Sequence, residues 1–158
     1  MDKNIFESLD RDCVILGLKQ KSKKNILSTI LDHLTQKKKI EKSNKNQILK
    51  ILLQREEMGS TAIGGYIALP HARVDCVKNV LICIAISTEG LDFDSLDQEA
   101  VNIVALLLSN HKEAGMHLKT LAFLARMLRD KYFVQQLKSA KTEEEVVTFL
   151  DKQQQIVR

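Results

Sequence analysis

The chain has 158 residues, 44% of them apolar and 28% charged, with one Pro, six Gly and a formal net charge of +4. This length suits one domain with a core of its own, and the composition excludes collagen-like, low-complexity and disordered chains. Aromatics make up only 4% with no Trp, so the core must be aliphatic, and the basic runs Lys19 to Lys24 and Lys37-Lys38-Lys39 lack the interleaved aromatics of a nucleic-acid platform.

Cys13-Val14-Ile15-Leu16 predicts a first strand or extended segment. Ser22 is placed to cap a helix whose Ile26, Ile30, Leu31 and Leu34 repeat at helical spacing. Ser43 is the expected N-cap of a second helix, with Ile48, Leu49, Leu52 and Leu53 facing inward. Gly59, Gly64 and Gly65 break that helix and feed a short strand, Tyr66 to Leu69. The strand is expected to stop at Pro70, which has no N–H for a ladder.

Val80 to Ile86 is dense in β-branched residues and reads as a strand buried on both faces, followed by a turn at Glu89-Gly90. Val101 to Leu108 is a second buried strand. Past Ser109 the pattern turns helical, with one expected stripe of Leu118, Leu121, Ala122, Ala125 and Leu128 and another of Phe133 and Leu137. Thr142-Glu143-Glu144-Glu145 is a capping box opening a last helix, whose Val146, Phe149 and Leu150 dock on the core, and Gln153 to Arg158 is expected to fray. Helices in both halves with buried strands between them predict a single α/β domain, a central sheet covered by helices on both faces.

Met1-Asp2-Lys3-Asn4 is not followed by an apolar signal core, and no stretch approaches the roughly 18 apolar residues of a membrane span. A cytoplasmic protein that is not integral to a membrane and binds no nucleic acid is expected. Three cysteines without a C-x-x-C pair fit reduced, buried thiols, Cys83 lying mid-strand.

The segment Ile67-Ala68-Leu69-Pro70-His71-Ala72-Arg73 carries the chemistry. His71 follows a Pro-stopped strand, and Arg73 adds a permanent cation two residues on. An imidazole, with a pKa of about 6.5, is neutral and nucleophilic near pH 7. The pair suits a nucleophile that accepts an anion such as a phosphoryl group, although most histidines near a strand end are surface or packing residues. A zinc site from His71, His111, His117 and Cys76 lacks H-x-x-x-H or C-x-x-C spacing, and no G-x-x-x-x-G-K-[ST] nucleotide loop occurs. No metal or cofactor is expected.

Around this segment lie Arg55-Glu56-Glu57-Met58-Gly59-Ser60-Thr61 upstream, and His117-Leu118-Lys119-Thr120-Leu121-Ala122 downstream. In this order the three elements resemble the IIA component of the phosphoenolpyruvate-dependent sugar phosphotransferase system, in the type shared by fructose, mannitol and nitrogen-regulatory IIA proteins. Members read R-E-x-x-x-S-T, a Gly-rich turn, a strand ending in P-H-[AG]-[RKT], and a second His opening an H-L-x-x-L-A helix. Two positions depart: Ala62 stands where members usually carry Gly, and Tyr66 where a small residue precedes the strand.

The resemblance implies a type-2 IIA domain over residues 1–152 with a short tail at 153–158, and a mixed sheet between helical layers. It implies that His71 takes the phosphoryl group on Nε2 from the histidine phosphocarrier protein. His117, at a helix start with little packing to lose, would hydrogen-bond the phosphoryl group there, aided by that helix's dipole. Arg55 matches the arginine that assists transfer, with Arg73 and Thr61 as secondary candidates; on spacing alone, Arg55 and His117 read as a helix-terminal cation and a surface residue. His33 and His111 match no functional position. With no IIB or membrane domain in the sequence, a nitrogen-regulatory-like role is expected, acting on a transporter or kinase. The alternatives are a relay to the IIB of a separate sugar permease and an interaction module without phosphotransfer. Retention of His71, His117 and Arg55 together argues against the last.

Overall fold

The structure, a computed structural model, describes residues 9–157; the first eight residues of the expected domain and Arg158 lie outside them. Five strands, β1 (Val14–Leu16), β2 (Ile67–Ala68), β3 (His71–Arg73), β4 (Leu81–Leu91) and β5 (Val101–Ser109), form one sheet in the order β1-β4-β5-β2, with β3 also on β5. Strand β1 runs parallel to β4, β4 antiparallel to β5, and β2 and β3 parallel to β5, so the sheet is mixed. The helices are α1 (Lys23–Gln36), α2 (Lys45–Glu57), α3 (Ala114–Leu128), α4 (Lys131–Ser139) and α5 (Glu143–Val157).

Alternation along β5 explains the sandwich. Val104, Leu106 and Leu108 join the core under α1 and α2, whereas Ile103, Ala105 and Leu107 join the core under α3, α4 and α5. All nine residues of β5 are buried, which is why the strand reads as a continuous apolar run. The central sheet between helical layers is the architecture expected from the sequence.

Local chemistry accounts for most of the boundaries. The Ser22 hydroxyl accepts from the Asn25 N–H at 3.1 Å and starts α1. Thr142 accepts from the Glu145 N–H, and the Glu145 carboxylate reaches back to the Lys141 N–H. Ser43 does not cap α2: it lies in a 3-10 turn, Lys42–Asn44, and Asn44 precedes α2 without a side-chain cap bond. Leu49 and Leu53 are only half-buried.

Three further expectations are corrected. Glu89-Gly90 is not a turn but part of β4, where the pairing with β5 shifts register between Ile86 and Leu91. Gly90 has φ 92°, and a Cβ there would stand 2.8 Å from the Ala100 Cβ, so only glycine serves in this bulge. Residues 153–157 do not fray: α5 runs to Val157, with Gln153 and Gln154 buried and Gln153 bonded to Asp130. Cys13 and Cys83 are buried thiols, but Cys76 is exposed. Among the described residues no helix is long and apolar enough to cross a membrane.

Candidate functional site

The chain does not end its strand at Pro-His. Pro70 interrupts it for two residues, and β3 resumes at His71 in register with Leu107. Pro70 lacks a donor, but its carbonyl still accepts from the Leu107 N–H at 2.9 Å, so the ladder bridges the gap. Before it, Gly64, Gly65 and Tyr66 all take positive φ, 131°, 70° and 67°. Tyr66 thus occupies a left-handed position that favours a smaller residue.

At β3 the two helical layers meet. A cavity of about 330 Å³ is lined by Ile51 and Arg55 of α2, His71, Ala72 and Arg73 of β3, and His117, Leu118 and Leu121 of α3. The fold therefore brings His71, His117, Arg55 and Arg73 to one place from positions 55 to 117 of the chain. Thr61 is not in the lining; it is buried behind it, bonded to Glu56.

His71 is half-buried, and its Nδ1 lies 2.8 Å from the Leu69 carbonyl oxygen. A carbonyl only accepts, so Nδ1 carries the proton and the neutral ring keeps its lone pair on Nε2. The His117 ring stands 5.6 Å from it, centroid to centroid, tilted by 59°. His117 is 3% exposed and its Nδ1 is hydrogen-bonded with the hydroxyl of fully buried Ser109. Burial first, then electrostatic repulsion from the neighbouring His71 and Arg73, holds the His117 imidazole below the ordinary histidine range. It is therefore neutral at pH 7.

His117 does not open its helix. A 3-10 turn, His111–Glu113, precedes α3, and His117 is the fourth residue of α3. The free N–H groups of the helix start belong to earlier residues. The buried face of α3 is His117, Thr120, Leu124, Met127 and Leu128, while Leu118 is 59% exposed and Ala122 is exposed. Two polar residues on the inner face disguised that stripe. Ser109, the partner of His117, went unmarked because a serine closing an apolar strand carries no signal of its own; its register opposite Arg73 places it.

Arg55 keeps both of its readings. Nη1 donates to the Gly59 carbonyl at 2.9 Å, closing the C-terminal end of α2, while the side chain lines the cavity. An Arg55→Ala variant is expected to lose about 1.5–3 kcal/mol of charge-assisted bonding to an oxyanion, a rate drop of roughly tenfold to a hundredfold in phosphoryl transfer. Arg55→Lys should recover only part of it, because an ammonium lacks the planar fork. Transfer rates from one purified donor check this; wild-type rates in both variants would leave Arg55 as a helix-terminal cation alone.

The other histidines lie elsewhere. His33 Nε2 is 2.8 Å from the Asp12 carbonyl, and His111 pairs with Asp75 at 2.7 Å. Among the described residues no cluster of three or more His, Cys, Asp or Glu could hold a metal.

A mixed sheet between two helical layers, with paired histidines at its edge and a guanidinium from the facing helix, defines a class of α/β domain built around a histidine cavity. Residues 7–153 match the family described as "Phosphoenolpyruvate-dependent sugar phosphotransferase system, EIIA 2", and the chain belongs to that family. It is 30% identical over 139 residues to a nitrogen regulatory protein of Bradyrhizobium diazoefficiens, covering 88% of this chain and 89% of that one. It is also 30% identical over 151 residues to the fructose-specific EIIABC component of Bacillus subtilis, covering 93% of this chain but only 23% of that protein. The crystal structure of nitrogen regulatory protein IIA-Ntr from Neisseria meningitidis superposes with a TM-score of 0.79 at 26% identity, over 89% of this chain and 94% of that one. The fold is shared with IIA mannitol of Escherichia coli in its complex with phosphorylated IIB, at a TM-score of 0.75 and 21% identity, over 91% of this chain and 97% of that one.

Proposed function

We propose that this protein is a cytoplasmic phosphoryl carrier that accepts a phosphoryl group on His71 Nε2 from the phosphorylated histidine phosphocarrier protein. The observation that carries the reading is the Leu69 carbonyl bond, which ties Nδ1–H and leaves Nε2 unprotonated in a cavity that also holds Arg55, Arg73 and His117. In the transfer, the donor's N–P bond breaks as the Nε2 lone pair bonds phosphorus. Positive charge develops on the His71 ring, and the Leu69 carbonyl, accepting from Nδ1–H, stabilises it. Arg55 and Arg73 neutralise the phosphoryl oxygens. With the Ser109 hydroxyl donating to His117 Nδ1, neutral His117 offers Nε2–H to one of those oxygens. No bound cofactor takes part.

The similarity to nitrogen regulatory proteins favours a regulatory role, in which phosphorylation of His71 controls binding to a transporter or kinase. A second reading, relay to the IIB component of a sugar permease, rests on the fructose-specific relative. Incubation with phosphoenolpyruvate, enzyme I and the phosphocarrier should add a single phosphoryl group, stable to base and lost in acid. An unlabelled or acid-stable product overturns the carrier reading. Discharge of the labelled protein by an added IIB domain selects the sugar-relay reading.

A further inference from the structure

Glu56 follows Arg55 in α2, and one step of about 100° around a helix turns the two side chains to different sides. Arg55 lines the cavity, whereas Glu56 is 6% exposed and points behind it. Its Oε1 accepts from the Thr61 N–H at 3.0 Å and its Oε2 from the Thr61 hydroxyl at 2.6 Å. Lys23 of α1 lies 3.3 Å from the same carboxylate, so the buried charge is paired as well as hydrogen-bonded. The Thr61 carbonyl in turn accepts from the Leu69 N–H at 3.2 Å, and the Leu69 carbonyl accepts from His71 Nδ1–H at 2.8 Å.

These contacts link a buried carboxylate to the imidazole through two residues, Thr61 and Leu69, each bonded at both its N–H and its carbonyl. The geometry points to Glu56 as a positioning residue for His71, acting through Thr61 and the backbone on either side of Leu69. Leu69 lies in the interruption between β2 and β3, where its N–H, in the peptide before it, is bonded outside the sheet to Thr61. The Leu69 carbonyl, in the following peptide, is held one Cα away from that bond by a ψ that Pro70 restricts to the extended range, so it follows the Thr61 turn, which Glu56 clamps at two atoms. Orientation of this carbonyl decides which ring nitrogen of His71 keeps the proton. One turn of α2 thus serves both sides of the reaction, Arg55 the phosphoryl oxygens and Glu56 the nucleophile. The inference rests on the proposed role of His71, but its test on the resting protein does not.

Glu56→Gln turns one carboxylate oxygen into a donor, so the Thr61 hydroxyl must accept where it now donates, the charge that strengthens both bonds is gone, and Lys23 is left with Asp94 as its counter-charge. Thr61→Val is the milder change, removing only the hydroxyl bond. Ring nitrogen shifts of His71, read by NMR on the unphosphorylated protein at pH 8, report the tautomer with no donor present. Both variants should increase the share of ring protonated on Nε2, and phosphoryl uptake should fall about threefold to tenfold. Leu150→Ala, a core truncation in α5, is the control for lost stability and should leave the tautomer unchanged. If Glu56→Gln and Thr61→Val keep the wild-type tautomer and uptake while melting earlier, Glu56 is a fold staple only. If Glu56→Gln does not fold, Thr61→Val decides alone. A tautomer shift in a protein that never takes up phosphate would sink the carrier reading and leave this one standing.

Discussion

His71→Ala is expected to take up no acid-labile phosphate from the phosphorylated phosphocarrier, with no other residue substituting for it. His117 is the neighbouring imidazole, but it is 3% exposed and its Nδ1 is engaged by Ser109. His33 and His111 stand outside the cavity, each bonded to its own acceptor. The fold should barely notice the change. His71 is half-buried and its ring makes one hydrogen bond, to Leu69, worth about 1 kcal/mol. The melting temperature is then expected to drop by about 2–4 °C. Label counting by intact mass, with unfolding followed by circular dichroism, checks both halves. Label at the wild-type level on His71→Ala would remove His71 from the mechanism.

His117→Ala is expected to damage both transfer and stability, which a surface residue at a helix start would not. Truncation opens a cavity beside β5 and leaves the buried Ser109 hydroxyl unpaired, at a cost of about 2–4 kcal/mol. For a chain of this size that is a fall of very roughly 4–16 °C in melting temperature. Loss of a donor to the phosphoryl oxygens should also slow transfer by roughly tenfold or more.

The wild-type protein carries a pH signature of the same group. Because the His117 pKa is lowered in the folded state, the unfolded chain binds the proton more tightly. The stability from its neutral burial is complete above the unfolded value of about 6.5 and is lost as pH falls toward the folded value. His117→Ala should therefore show a flatter loss of stability as pH falls below about 6.5 than wild type. Equal slopes in the two proteins would show that another group governs acid unfolding.

The layered α/β architecture was legible in the chain because its signals are local. β4 and β5 are apolar runs, Ser22 and Thr142 are caps with side-chain oxygens in place, and α1 and α4 keep their apolar residues at helical spacing. The elements that escaped a sequence reading are those set by partners distant in the chain. Gly90 looks like a turn until β5 and Ala100 show it to be a bulge. Gln153 and Gln154 look like a tail until the core beneath α5 buries them.

The same division holds at the cavity. Pro70-His71, Arg55 and His117 were marked by residue type and order along the chain, since the chemistry of an imidazole or a guanidinium travels with the side chain. Which His71 nitrogen is free was decided by the Leu69 carbonyl, and the burial of His117 by Ser109 and the inner face of α3. Thr61 was moved by the fold from the cavity to its support, where Glu56 holds it. Protonation and burial belong to the surroundings of a group rather than to the group, and those surroundings exist only once α2, β3 and α3 have packed together.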